Sequence, residues 1–510
     1  MAPRKDKYLK LLCRFYEPLI LLAALGKTRG THTSSPQDTS TTQSKRRRLL
    51  RNLAYLCDYE KGGETTSAIG LEENDERFVF WVASNATRPR TRQNIVEFLQ
   101  RALKQVRAII ASQDGARSKE ELKEQFITKC IEFAEPRVKK EAKLLSNAIG
   151  KCEKHLDSAK LGQDSRLKTW LSQFSQVNGS SRADLCFQAY NLHKIKANDG
   201  HTGLDDQALL FSNVHHYLGR LAAHVRRPNE VIEDSIALGH LLDEFKIRLV
   251  EPRPSNKRPE ADSLTELHSI LGRMLPAGEP KFDEYKEALT SLDQKYSIAH
   301  RVRHTYADKN FQPRIHAEIQ ILEHFCANQL SFAGNDSYIG CSKPACYCCH
   351  LYFQHHISNP VVPESHQKIY LNWGLHDLPS GSADPGYIPQ RDMMNKMLER
   401  IRQDALEQIK QKSGPLKWHA DSLTEFTERA AVQPSAVKHS GENSLLRQLM
   451  NSQVDSASQR VASKMELQLQ LLEDASASSS EETIYSTREA LDEFEVDFDS
   501  DTDSHGGAAL

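Results

Sequence analysis

Several absences narrow this 510-residue chain first. No stretch approaches the ~20 apolar residues of a membrane-spanning helix. The nearest, Pro18 to Leu25, follows Arg4, Lys5, Lys7, Lys10 and Arg14 and mimics the apolar core of a signal peptide. Asp6 and Glu17 interrupt that pattern, so it reads better as a helix docking its apolar face on the body. Ten cysteines are too few for a disulfide scaffold. The net charge of −1 rules out a uniformly basic nucleic-acid coat. No fixed-period repeat is visible. The zinc-protease pattern H-E-x-x-H is absent, and the helix expected after His316 has no second histidine four residues on.

What is present is unevenly distributed. Residues 473–510 hold twelve acidic residues against Arg488 alone, a net of −11, so the rest of the chain carries +10. A mildly basic body leaves a polyanionic partner open without requiring one. Four of the ten cysteines (Cys341, Cys346, Cys348, Cys349) fall within nine residues, which reads as reduced thiols around a metal in an intracellular protein, cytoplasmic or nuclear.

Residues 1–45 read as an N-terminal helix and a Ser/Thr-rich linker. Lys45-Arg46-Arg47-Arg48 fits a nuclear import signal, a phosphate contact or a solvated helix start. Residues 64–83 place two runs rich in β-branched and aromatic residues around a polar turn, which predicts a β-hairpin. Its second run, Phe78-Val79-Phe80-Trp81-Val82, is apolar throughout and suits a central strand buried on both faces. From about 95 to 300 the period is helical, as in Leu99, Leu103, Val106 and Ile110, with a break at Pro136. Helices are then expected at 316–328, 346–356 and 389–411, and strands at 337–341 and 368–373. Residues 431–510 are too polar to offset their ordering entropy and are expected to be disordered, with short helices near 444–451 and 464–472.

The chemistry concentrates in His316-Ala317-Glu318 and Cys346-Tyr347-Cys348-Cys349. One imidazole and two thiolates suit zinc and leave a fourth position for water. Cys346 and Cys349, at i and i+3 at a helix start, point the same way. The helix N-terminus helps keep them ionised. Cys348 should face elsewhere, although it or Cys341 could substitute as a ligand. Glu318, two residues past the histidine, can reach a water on the metal without binding the metal, and so can carry protons.

This combination resembles the signature of the cytidine deaminase-like superfamily of nucleotide and nucleic-acid deaminases. With Ile339-Gly340-Cys341-Ser342-Lys343 before the cysteine pair, it is similar in particular to the uncharacterised fungal branch related to bacterial toxin-type deaminases. The resemblance implies an α/β fold: a three-layer α/β/α core with a mixed sheet. It implies Zn2+ on His316, Cys346 and Cys349, with Glu318 as proton shuttle. Members often carry an Asn near the end of the second strand that contacts substrate, which points to Asn85. The chain departs from the common signature in one respect: Pro344 stands two residues before the first cysteine rather than one, with Ala345 between.

If the hairpin is the first part of this core, the core is split. It then occupies 46–86 and 301–415, around an all-helical insertion at 87–300 and ahead of the acidic tail at 431–510. The alternative is an unrelated small sheet at 64–83 and a core that starts later. Arg88, Arg90, Arg92, Arg301, Arg303, Arg314, Lys309 and Lys343 adjoin the motifs and suit phosphates of a nucleotide or single-stranded nucleic acid; the competing reading is a solvated loop. Trp373 and Tyr347 could stack on a base or belong to the core, and His355-His356 reads as surface. The expected activity is zinc-dependent hydrolysis of the amidine C–N bond of a cytosine- or adenine-type base. The alternative is a non-catalytic zinc-stabilised nucleic-acid or protein-binding module.

Overall fold

The apolar run at Phe78–Ser84 forms strand β2, which pairs antiparallel with β1 (Ser67–Glu73) in the expected hairpin, Ile69 opposite Val82. In the computed structural model, residues 6–33, 40–74, 77–112, 116–158, 181–199, 208–309 and 312–416 are described. They lie in the first of two units, Met1–Ala430. The tail expected to be disordered at 431–510, with its two short helices, lies outside the described residues.

β1 also pairs antiparallel with β4 (Ile339–Cys341), Ile69 opposite Gly340. The hairpin and the strand leading to the cysteines therefore share one sheet, although 254 residues (85–338) separate them in sequence. β2 pairs in parallel with β3 (Phe245–Leu249), giving the mixed order β3-β2-β1-β4 among the described residues. β3 is a departure from the all-helical reading of 87–300. Its five residues alternate partly buried Phe245, Ile247 and Leu249 with exposed Lys246 and Arg248, too short a pattern to stand out between helices.

The two faces of the sheet follow from strand alternation. Ile69, Leu71, Phe80 and Val82 face a core shared with α2 (Thr42–Cys57), α3 (Pro89–Ala111) and α4 (Ala116–Phe133). Ala68, Val79, Trp81 and Ala83 face a second core shared with α1 (Lys7–Leu25) and the C-terminal helices. Two glycines set how closely the helices approach. A Cβ on Gly340 would lie 2.4 Å from the carbonyl carbon of Leu50, so the backbone of α2 rests directly on β4. On Gly70 it would lie 2.7 Å from Ile321 Cγ2, in the helix on the opposite face. The result is the expected helix–sheet–helix layering.

The intervening region builds its own core from α4, α5 (Glu135–Ser158), α6 (Arg182–Asp199) and α7 (Ala208–Ala237), with Val138, Leu145, Leu185 and Leu221 buried. Pro136 stands in the first turn of α5, where its missing N–H costs nothing and the preceding helix has ended. The chain continues through α8 (Leu267–Met274), α9 (Phe282–Tyr296) and α10 (Ile298–Ala307). The helices that follow the His-Ala-Glu and cysteine motifs, α11 (Ala317–Ala327) and α12 (Tyr347–His355), come next, then α13 (Tyr387–Lys410).

Helix α1 is buried along most of its length, from Leu11 to Leu25, as the docking reading requires. Among the described residues, no helix is long and apolar enough to cross a membrane. The Tyr16 hydroxyl donates to the Trp373 carbonyl at 3.0 Å and accepts from Asn256 Nδ2 at 2.9 Å, fixing α1 to the segment after α12.

That segment corrects the strand expected at 368–373. It pairs only through isolated bridges, Lys368 with Thr28 and Trp373 with Arg314. Ile369 and Trp373 are buried by packing instead, with Trp373 against Phe15 at 5.7 Å. The basic run at 45–48 does start a helix, but much of it turns inward. Arg47 is bidentate to Asp336 at 2.9 and 2.6 Å, and Arg48 to Asp234 at 2.8 and 2.6 Å.

Candidate active site

His316 and Cys346 occupy equivalent places, each at the N-cap position of a helix. Both have the extended backbone dihedrals of an N-cap residue (φ −69°, ψ 150° and φ −71°, ψ 168°). Cys346 Sγ accepts the backbone N–H of Cys349 at 3.4 Å, as a serine cap would. The one-residue offset of Pro344 is absorbed before the helix: the Ala345 N–H donates to Glu364 O at 2.7 Å, and the Ala345 carbonyl accepts from Ser365 Oγ at 2.8 Å.

These two helix starts meet. His316 Nδ1 lies 3.3 Å from Cys349 Sγ and 3.6 Å from Cys346 Sγ. The three ligand atoms lie within 4.8 Å of one another, and all three residues are buried. Bonds of ~2.3 Å to sulfur and ~2.05 Å to nitrogen at tetrahedral angles would put S and N about 3.6 Å apart, so the donor set fits zinc in size as well as chemistry. Among the described residues, neither Cys341 nor Cys348 belongs to a convergent metal-binding group. Cys348 is fully buried and serves the core.

The electrostatics run the same way. Burial opposes ionisation of Cys346, but the hydrogen bond from Cys349 and the adjacent His316 outweigh it, and the thiol falls well below its usual range. Burial holds Cys349 well above. Glu318 is 4% exposed and outside the trio. Burial raises its carboxyl above the usual carboxylate range, with His316 opposing.

Asn85, at the end of β2, sits beside the histidine. Its Oδ1 accepts the Ala317 N–H at 2.8 Å, and its Nδ2 donates to Gly63 O at 3.1 Å. Gln320 donates to Ser84 O at 3.4 Å and Ile315 O at 2.7 Å, tying α11 to the same strand end.

The cationic side chains proposed for phosphate divide into two sets. Arg92 is buried and donates to Ala86 O and Thr87 O. Arg314 pairs with Glu64 at 2.9 Å, and Lys343 reaches Asp58 at 3.7 Å and donates to Gly62 O. Arg88, Arg90, Arg301, Arg303 and Lys309 remain exposed. Trp373 and Tyr347 are core residues; the Tyr347 hydroxyl donates to Asp404 at 2.7 Å. His356, expected at the surface, is buried with Nε2 3.1 Å from Glu323, away from the trio. Sequence reasoning missed Asp58 and Glu64, whose partners Lys343 and Arg314 lie 285 and 250 residues away.

Residues 315–377 match the family model OTT_1508_deam, described as a "-like deaminase". The chain carries a deaminase segment of the cytidine deaminase-like kind. The matched segment contains His316, Glu318, Cys346 and Cys349, the residues that the geometry gathers. Neither the search of curated proteins nor that of solved structures found a match.

Proposed function

We propose that this protein is a zinc-dependent hydrolase that removes the exocyclic amine of a cytosine- or adenine-type base, carried by a nucleotide or a single-stranded nucleic acid. The observation that carries the reading is the convergence of His316, Cys346 and Cys349, with Glu318 buried two residues from the histidine and outside the trio. Zinc held by this trio would supply the positive charge that lets a water ionise near neutral pH. Glu318 would take a proton from the attacking water and deliver it to the ring nitrogen, then carry the hydroxyl proton of the resulting adduct to the exocyclic amine. The C–NH2 bond then breaks, leaving a carbonyl and ammonia.

Asn85 would orient the base. Its amide keeps a second N–H and an Oδ1 lone pair beyond the two bonds described. The exposed Arg88, Arg90, Arg301, Arg303 and Lys309 supply charge suited to phosphates. A closed structural zinc site needs a fourth ligand, and among the described residues the convergent group has three.

The test is metal analysis with turnover on pools of nucleosides, nucleotides, single-stranded DNA and RNA. Glu318→Gln should keep the metal and lose ~10²–10⁴-fold in rate. If wild type and Glu318→Gln are equally inert with zinc bound, the catalytic reading is wrong.

A further inference from the structure

Both halves of the metal site are held by one short loop, residues 58–66, which contains neither a metal ligand nor the proton carrier. On the histidine side, Gly63 O accepts Asn85 Nδ2, and Asn85 in turn caps the helix that starts after His316. Glu64 adds a second tie, from Oε2 to Arg314 Nη1 at 2.9 Å and from Oε1 to the Thr87 N–H at 2.8 Å. On the cysteine side, Lys343, three residues before Cys346, donates to Gly62 O and stands 3.7 Å from Asp58 Oδ2.

The loop is anchored behind the site as well. Asp58 is 1% exposed, and its Oδ1 accepts Thr65 Oγ1 at 2.8 Å. Its Oδ2 has no hydrogen-bond donor, but faces Arg137 Nη1 at 3.7 Å as well as Lys343. Arg137, on α5, also donates to the carbonyls of Asp58 at 2.9 Å and Tyr59 at 3.1 Å, and to Glu141 Oε1 at 3.0 Å. Glu141 accepts Arg220 Nε at 2.9 Å and faces His224 Nε2 at 3.0 Å, both on α7. A continuous polar path therefore runs from the intervening helices, through one shared carboxylate, to the segment that presents the cysteines. A buried carboxylate between two cations resists displacement, because removing either cation leaves uncompensated charge.

We propose that the 58–66 loop is a clamp that sets the separation of His316 from the Cys346–Cys349 pair. Lys343 is its positioning residue on the cysteine side, and Asp58 joins helices α5 and α7 to it. This rests on the deaminase reading for its metal, but not for its geometry.

The experiment loads the full-length protein with Co2+ and records its thiolate-to-cobalt absorption and its affinity. Lys343→Met should shift the bands and weaken binding about tenfold, as loss of outer-shell partners does, and Lys343→Arg should restore most of both. Arg137→Gln should change the spectrum in the same direction, and the double variant should fall short of the product of the two effects. A Lys343→Met protein that melts lower yet binds Co2+ with the wild-type spectrum and affinity overturns the proposal.

Should wild type bind no Co2+, the deaminase reading falls, and the clamp is then tested by hydrogen exchange on the metal-free protein. Faster exchange at 313–319 and 342–349 together, in Lys343→Met and Asp58→Asn, supports it. A rise on the cysteine side alone overturns it.

Discussion

Asn85 and Ala317 are 232 residues apart in sequence, yet the Asn85 Oδ1 accepts the first N–H of the helix after His316, that of Ala317, at 2.8 Å. The residue expected to touch substrate also ties the first turn of the helix after His316 to the end of β2. Asn85→Ala should cost ~1 kcal/mol as a lost helix cap. Asn85→Asp keeps the acceptor and should recover most of that stability while losing the bond to Gly63. Thermal melts on the two variants, with zinc measured on each, separate capping from binding.

Metal content should follow the trio. Cys349→Ala and His316→Ala should each lose bound zinc, whereas Cys348→Ala should keep wild-type stoichiometry and show only a packing loss, roughly 1 kcal/mol. X-ray absorption of the loaded protein should count two sulfurs. A count of three would bring in Cys341 or Cys348 and favour a closed structural site.

Gly340→Ala is expected to be far more damaging than its size suggests. Its Cβ would be forced against the Leu50 and Arg51 backbone at 2.4 and 2.6 Å, and no rotamer relieves a backbone clash. Overpacking of this kind costs ~1–3 kcal/mol, visible as a lower melting temperature with reduced zinc retention, since β4 leads directly to the cysteines.

The charge cluster on α5 and α7 predicts acid lability. Burial lowers the folded-state pKa of His224 below the ordinary 6.5, despite its Glu141 partner. As pH falls through 6.5, the unfolded chain takes up a proton that the folded chain does not, so stability drops. Glu141 is opposed by burial, but Arg220 and Arg137 hold its carboxyl well below 4.5. The stability it contributes is present above 4.5 and is lost progressively below. Denaturant titrations should show a first decline beginning near pH 6.5 that is absent in His224→Gln, and a second below pH 4.5. A wild-type curve flat between pH 7 and 5 would refute the first.

The trio that could hold a metal was legible in the sequence because each half of it is local: a histidine at the N-cap position of one helix, and a capping cysteine with its i+3 partner at another. The hairpin was legible because β2 is apolar on both faces and so had to be central. What could not be read depends on distant partners. Lys368 to Trp373 has the composition of a strand, but its backbone bonds go singly to Lys27, Tyr347 and Arg314, and Trp373 is buried by Phe15 and Tyr352 rather than in a ladder. β3 is visible only once β2 is known to need a parallel neighbour. Arg314 and Lys343 looked like free cations because Glu64 and Asp58, which occupy them, precede them by 250 and 285 residues.

The pairing of β1 with β4 has a consequence for how the chain is made. When the hairpin leaves the ribosome, the helix that will cover Gly70, and the strand that will flank β1, have not yet been synthesised. Loop closure over such a distance is slow, and unpaired apolar strands are prone to wrong partners in the interval. Helices α4 to α7, with a core of their own made of near neighbours in sequence, can condense during that wait and carry Arg137 into place behind the hairpin before the cysteines arrive. The apolar faces of the hairpin thus wait while the 254 residues between β2 and β4 emerge.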